Sequence, residues 1–78
     1  MKVTVKFLGP QKLETKLVKY DIQCRGGVLV KDVMRTLKII FPNLSFGEII
    51  LVNAKKVNAL ARLKHEDELM FVPTIGGG

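Results

Sequence analysis

The chain has 78 residues, room for one domain with a modest core, since a chain of this size buries roughly 60% of its unfolded surface. An apolar fraction of 47% argues against disorder, and no apolar run approaches the ~20 residues of a membrane span. The net charge of +6 comes from thirteen Lys and Arg scattered between Lys2 and Lys64 without a basic block, so it speaks for solubility before it speaks for a nucleic-acid arm.

Lys2 to Phe7 alternate polar and apolar, with Val3, Val5 and Phe7 on one side, which predicts a half-buried strand and not a signal peptide. With a single cysteine, Cys24, a cytoplasmic location without internal disulfides is expected. Gly9-Pro10 breaks the strand, and the polar stretch Gln11 to Thr15 reads as a hairpin connection. Val18, Tyr20 and Ile22 alternate with Leu17, Lys19 and Asp21 and predict a second strand paired to the first. Gly26-Gly27 marks a loop. Val30, Val33, Met34, Leu37, Ile40 and Phe41 then recur at helical spacing, and Pro42 stops the helix they predict. Leu29 stands at its start, where a capping hydroxyl would be worth about 1 kcal/mol. Glu48 to Val52 predict a third strand, Asn53-Ala54 a turn, and Lys55 to Asn58 a short return strand. Ala59 to Glu66 suggest one helical turn. Glu68 to Val72 predict a last strand, apolar on both faces as a central strand is.

The order β-β-α-β-(β)-β, with a helix that must cover one sheet face, predicts an α+β fold of β-grasp (ubiquitin-like) layout: a mixed four- to five-stranded sheet and one main helix. The helix face should meet Val3, Val5, Phe7, Val18, Tyr20 and Ile22, with the last strand beside the first. Residues 1–73 form the expected domain, and residues 74–78 an expected flexible tail. Met70 and Val72, facing away from the helix, should join Leu8 and Leu17 in an apolar patch on the open sheet face beside that tail.

Side-chain chemistry is sparse. His65 sits in a charged turn beside Glu66 and Asp67, and Cys24 has no second cysteine at metal-ligand spacing, so no nucleophile-base pair or zinc site is expected. Gly26-Gly27 lacks the spacing of a phosphate loop. Asp67 and Glu68 are adjacent at a strand start and point to opposite faces, so they are no acid-base pair. No resident cofactor or metal is therefore expected. What remains is Pro73-Thr74-Ile75-Gly76-Gly77-Gly78. A plain reading is a frayed terminus. The functional reading is chemical: glycine has no Cβ, so Gly76 and Gly77 could thread a narrow channel, with Pro73, Thr74 and Ile75 leading in. Once adenylated with ATP, the Gly78 carboxylate would be an unhindered electrophile, with the catalytic groups on a partner enzyme.

Several fragments resemble the MoaD/ThiS sulfur carriers, MoaD (the small subunit of molybdopterin synthase) and archaeal small modifier proteins most of all. Lys2-Val3-Thr4-Val5-Lys6-Phe7-Leu8 is similar to the family's first strand. Leu37 through Phe41-Pro42-Asn43-Leu44 is similar to its helix end. Ile50-Leu51-Val52-Asn53 resembles its "VNG" turn, and Leu63 through Asp67-Glu68-Leu69-Met70-Phe71-Val72-Pro73 resembles "L-x-D-G-D-E-V-x-F-x-P". Gly77-Gly78 matches the terminal Gly-Gly. Ala54 stands where the family has a turn Gly, His65-Glu66 where it has Asp-Gly, Thr74 where MoaD has a second Pro, and Gly76 where it has a small Ala or Ser. The resemblance implies a carrier that is not itself an enzyme. Its Gly78 would be adenylated by a ubiquitin-activating-type enzyme, then take sulfur from a persulfide donor as a thiocarboxylate. In molybdopterin biosynthesis the partner would be a MoaE-like large subunit. A thiamine-pathway or tRNA-thiolation carrier and a protein modifier are the alternatives. A β-grasp RNA-binding or scaffold module is the reading from another class. It would use the +6 charge, but nucleic acid is not the expected partner, because Phe46 is the only aromatic residue that reads as free to stack.

Overall fold

The computed structural model describes residues 1–73. The elements in chain order are β1 (Lys2–Lys6), α1 (Pro10–Thr15), β2 (Lys19–Gln23), α2 (Val30–Ile40), β3 (Ile49–Val52), β4 (Lys55–Val57) and β5 (Glu68–Val72). The five strands form one sheet in the order β2-β1-β5-β3-β4. The β1–β5 pair is parallel and every other pair antiparallel. This is the α+β, β-grasp layout, with five strands and a second, six-residue helix.

The period-2 pattern works as expected in β1 and β5. Val3, Val5, Leu69 and Phe71 are at most 1% exposed, while Lys2, Thr4, Lys6, Glu68 and Met70 face the other side. Val5 lies opposite Leu69, and Leu69 opposite Val52, so one apolar layer crosses three strands. Helix α2 covers it with Val30, Val33 and Leu37, each at most 2% exposed. Phe41 caps the end of α2 and meets Phe7 and Tyr20 edge-on, at centroid distances of 5.8 and 5.4 Å. Two members of the expected helix-facing set are exposed, while Tyr20, Met34 and Phe41 are partly buried. Val18 precedes β2 and is 66% exposed, and Ile40 turns toward solvent in the last turn of α2 at 41%.

Leu29 offers no side-chain acceptor, yet the start of α2 is fully served. The Asp32 carboxylate accepts the Leu29 N–H at 3.0 Å, and the Ala61 and Ala59 carbonyls accept the Val30 and Lys31 N–H groups at 2.9 and 2.8 Å. The segment 59–66 is therefore not the expected helical turn. It is a loop with tight turns at 59–60 and 65–66 whose carbonyls do the capping, pinned by a bridge between Leu29 and Arg62, with Leu63 buried and Leu60 65% exposed.

The connection from β1 to β2 also differs from expectation. Pro10 opens a helix, not a bare turn, and Lys16 closes it in the left-handed region at φ 64°, its N–H donating to the Lys12 carbonyl. A six-residue helix is too short to persist alone. This one is held by the side chains of Gln11 and Glu14.

Candidate functional site

The sequence directs attention to the end of β5. Of the residues assigned there, Thr74, Ile75, Gly76, Gly77 and Gly78 lie outside the described residues, as does the expected tail 74–78. Their approach does not: β5 runs to Val72 and Pro73 follows directly.

Five residues converge on this exit. Gln11 is 1% exposed, and its Nε2 donates to the Phe71 carbonyl at 2.9 Å and to the Ser45 carbonyl at 3.0 Å, while its Oε1 accepts the Leu8 N–H at 3.0 Å. One amide thus ties α1, the end of β1, the 44–47 loop and the end of β5 together. Glu14 adds a second tie, its two oxygens accepting the Ser45 N–H and Oγ–H at 3.1 and 3.0 Å. Phe46 meets Phe71 at 4.6 Å between ring centroids. Gly47 presses its backbone against the strand end so closely that a Cβ would fall on the Val72 carbonyl and lie 3.0 Å from the Pro73 Cα. On the other side, Pro73 Cγ would lie 3.8 Å from a Cβ on Gly9, whose φ of 49° suits glycine. Sequence reading missed Gln11, Glu14 and Gly47. It also left Phe46 free to stack, whereas the structure packs it half-buried onto Phe71.

The open sheet face beside the exit carries the expected apolar residues and two more. Met70 and Val72 are half-buried on β5, and β3 sets Leu51 opposite Met70 and Ile49 opposite Val72, with Ile49 41% exposed. Leu17 is 38% exposed and Leu8 half-buried. The Phe7 N–H donates to the Val18 carbonyl at 2.9 Å; past that bond the Leu8 N–H turns to Gln11 Oε1 and the Leu17 N–H to Thr15 Oγ1. Lysines frame the patch: Lys6 lies opposite Met70 and Lys19, and Lys56 opposite Leu51. Lys6 also pairs with Glu68 at 3.2 Å.

The remaining candidates take structural places. His65 is exposed, and its Nδ1 accepts the Lys2 N–H at 3.0 Å, tying its turn to the start of β1. Asp67 is 8% exposed and accepts from Asn53 Nδ2 at 2.9 Å and from the Lys64 N–H at 2.7 Å. Cys24 is half-buried after β2; burial pushes its thiol up, and the N-terminal ammonium, which donates to the Cys24 carbonyl at 2.8 Å, opposes the shift. Among the described residues no group of three or more His, Cys, Asp or Glu could hold a metal ion. Among them, too, no helix is long and apolar enough to cross a membrane.

No family model and no curated protein matches the chain. Solved structures do. SAMP1 from Haloferax volcanii superposes with a TM-score of 0.85 over 100% of both chains at 17% identity. A putative molybdopterin converting factor subunit 1 from Pyrococcus furiosus gives 0.80 over 95% of this chain and 98% of its own, at 25% identity. A complex of subunits 1 and 2 of the molybdopterin-converting factor from Helicobacter pylori gives 0.70 over 100% of both chains, at 24%. These are the kinds of protein the sequence resembles, small archaeal modifiers and MoaD-type subunits, and they share its fold.

Proposed function

We propose that the chain is a ubiquitin-like sulfur carrier whose Gly78 carboxylate is the working group. The carboxylate attacks the α-phosphorus of ATP on a ubiquitin-activating-type enzyme and releases pyrophosphate. A persulfide sulfur then displaces AMP from the acyl carbon, and a thiol reduces the acyl disulfide to leave a thiocarboxylate. The carrier supplies a handle and the partner supplies catalysis, so the chain is a carrier subunit and not an enzyme. The thiocarboxylate donates its sulfur in molybdopterin biosynthesis, in the cytoplasm, with a MoaE-like large subunit seated on the face of Met70, Val72, Leu8 and Leu17.

One observation carries the reading. The central strand of a small β-grasp body runs straight to Pro73, its last residues are held on two sides, and the sequence continues to three glycines. Likeness to a molybdopterin converting factor subunit and to a subunit 1–subunit 2 complex supports both the pathway and the partner. Likeness to a small archaeal modifier protein supports a second use of the same activated carboxylate, transfer to a lysine amine of another protein.

The test is intact-mass spectrometry after incubation with the adenylating enzymes of the host, ATP and a sulfur donor. The expected product carries one sulfur in place of one oxygen of the Gly78 carboxylate, or an adenylate when sulfur is withheld. Adding a residue after Gly78 should abolish it, because a 1 Å misplacement already costs on the order of 100-fold. Absence of both products with every adenylating enzyme of the host would sink the carrier reading.

A further inference from the structure

Three cations lie away from the tail exit and have no ion-pair partner among the described residues. Val52, Asn53, Lys55, Val57, Arg62 and Lys64 line a cleft of about 280 Å³, together with Asp67. Among the described residues, the ion pairs are Lys6–Glu68, Arg35–Asp32 and His65–Glu66, so Lys55, Arg62 and Lys64 pair with no carboxylate. Asp67, the one acid in the cleft, is turned inward to Asn53 and the Lys64 N–H. Three cations against one carboxylate leave the cleft at +2.

The cations are held at their backbones. Lys55 follows the Asn53-Ala54 turn, Arg62 sits in the bridge to Leu29, and the Lys64 N–H is fixed by Asp67. Between them lies an apolar floor. Val52 is opposite Leu69 and Val57 opposite Ile50, both buried, so the cleft opens on the helix-covered side of the sheet. The apolar patch of Met70 and Leu51 lies on the other side, and the tail exit at the far end of β5, five residues or about 17 Å away.

We propose that this cleft binds an acidic polypeptide segment, carboxylates against Lys55, Arg62 and Lys64 and an aliphatic side chain on Val52 and Val57. The site goes beyond the carrier reading and does not depend on it. Its position lets such a segment stay bound while another protein occupies the open face and the tail. Protein is favoured over RNA by the composition of the site. Single strands need bases stacked on aromatic rings along a basic groove. Phe7, Phe41 and Phe71, with Tyr20 and Phe46, all pack in or against the core, and none lines the cleft.

The test is amide chemical-shift mapping on the whole chain with three probes: a decapeptide of alternating Glu and Val, the same peptide with Gln for Glu, and an oligouridylate ten-mer. The Glu peptide should shift Val52, Asn53, Lys55, Val57, Arg62 and Lys64, and raising the salt from about 0.05 to 0.3 M should weaken it as the Debye length shortens. Arg62→Glu and Lys55→Glu should each lower affinity by about fivefold, the upper worth of an exposed ion pair, in variants whose remaining amide spectrum is unchanged. The proposal is overturned if the Gln peptide binds equally, if the oligouridylate binds more tightly, if the shifts fall instead around Lys2, Lys6 and Lys19, or if the wild-type chain shows no shift.

Discussion

Replacing Gly47 by alanine tests whether the 44–47 loop fixes the end of β5. The added methyl would meet the Val72 carbonyl and the Pro73 Cα, which are backbone atoms and cannot rotate aside. Overpacking of this kind costs about 1–3 kcal/mol. If the loop yields, the Gln11–Ser45 hydrogen bond goes as well, worth about 1 kcal/mol. The expected loss is therefore about 2–4 kcal/mol, a large share of the ~4–12 kcal/mol that a domain of this length holds. In a thermal melt followed by circular dichroism the midpoint should fall by about 10–25 °C. Gly26→Ala is the matched control, since nothing lies within 4 Å of a Cβ there, and it should shift the midpoint little. A Gly47→Ala midpoint within about 2 °C of wild type would show that loop and strand end do not meet as described. In the carrier assay Gly47→Ala should also lower kcat/KM for adenylation more than Gly26→Ala does.

Three further outcomes are expected. Ala54→Gly should stabilise, because Ala54 sits at φ 69° and Asn53 at φ 50°. A left-handed alanine costs roughly 1–2 kcal/mol, partly offset by the unfolded-state entropy of glycine, for a net gain of about 0.5–1 kcal/mol in a urea melt. Leu37→Ala removes a side chain with 0% exposure and should cost about 2–5 kcal/mol by chemical denaturation. Met70→Asp should keep the fold, since Met70 faces the open side, and weaken binding of the adenylating enzyme by calorimetry; unchanged affinity would move the docking surface elsewhere.

Strands β1 and β2 and helix α2 were legible because each carries one period, and β3 and β5 because they are short apolar runs. Helix α1 was not, for its hold on the body is a glutamine: Leu13, its one large apolar residue, is 74% exposed, and Gln11 is buried. Gly47 was equally silent, because its need for no Cβ arises from a strand end 25 residues later in the chain. Loop 59–66 mimicked a helical turn through Leu60 and Leu63, and its capping of α2 depends on carbonyls, which every residue has. At the candidate site the tail showed through composition alone, while the contacts that hold its approach come from four separate segments. The family departures Ala54 and His65-Glu66 proved informative, since Ala54 and Glu66, both at φ 69°, stand in backbone geometry that glycine adopts freely.

The sheet order has a consequence for synthesis. The strand at its centre, β5, is the last to leave the ribosome, and it joins β1–β2 to β3–β4. A nascent chain that has not reached Glu68 holds two separate hairpins and a helix with half its floor missing, and a two-stranded hairpin is marginal by itself. Folding therefore waits for β5. Chains that end before Glu68 leave Val5 and Leu37 uncovered and are open to proteolysis.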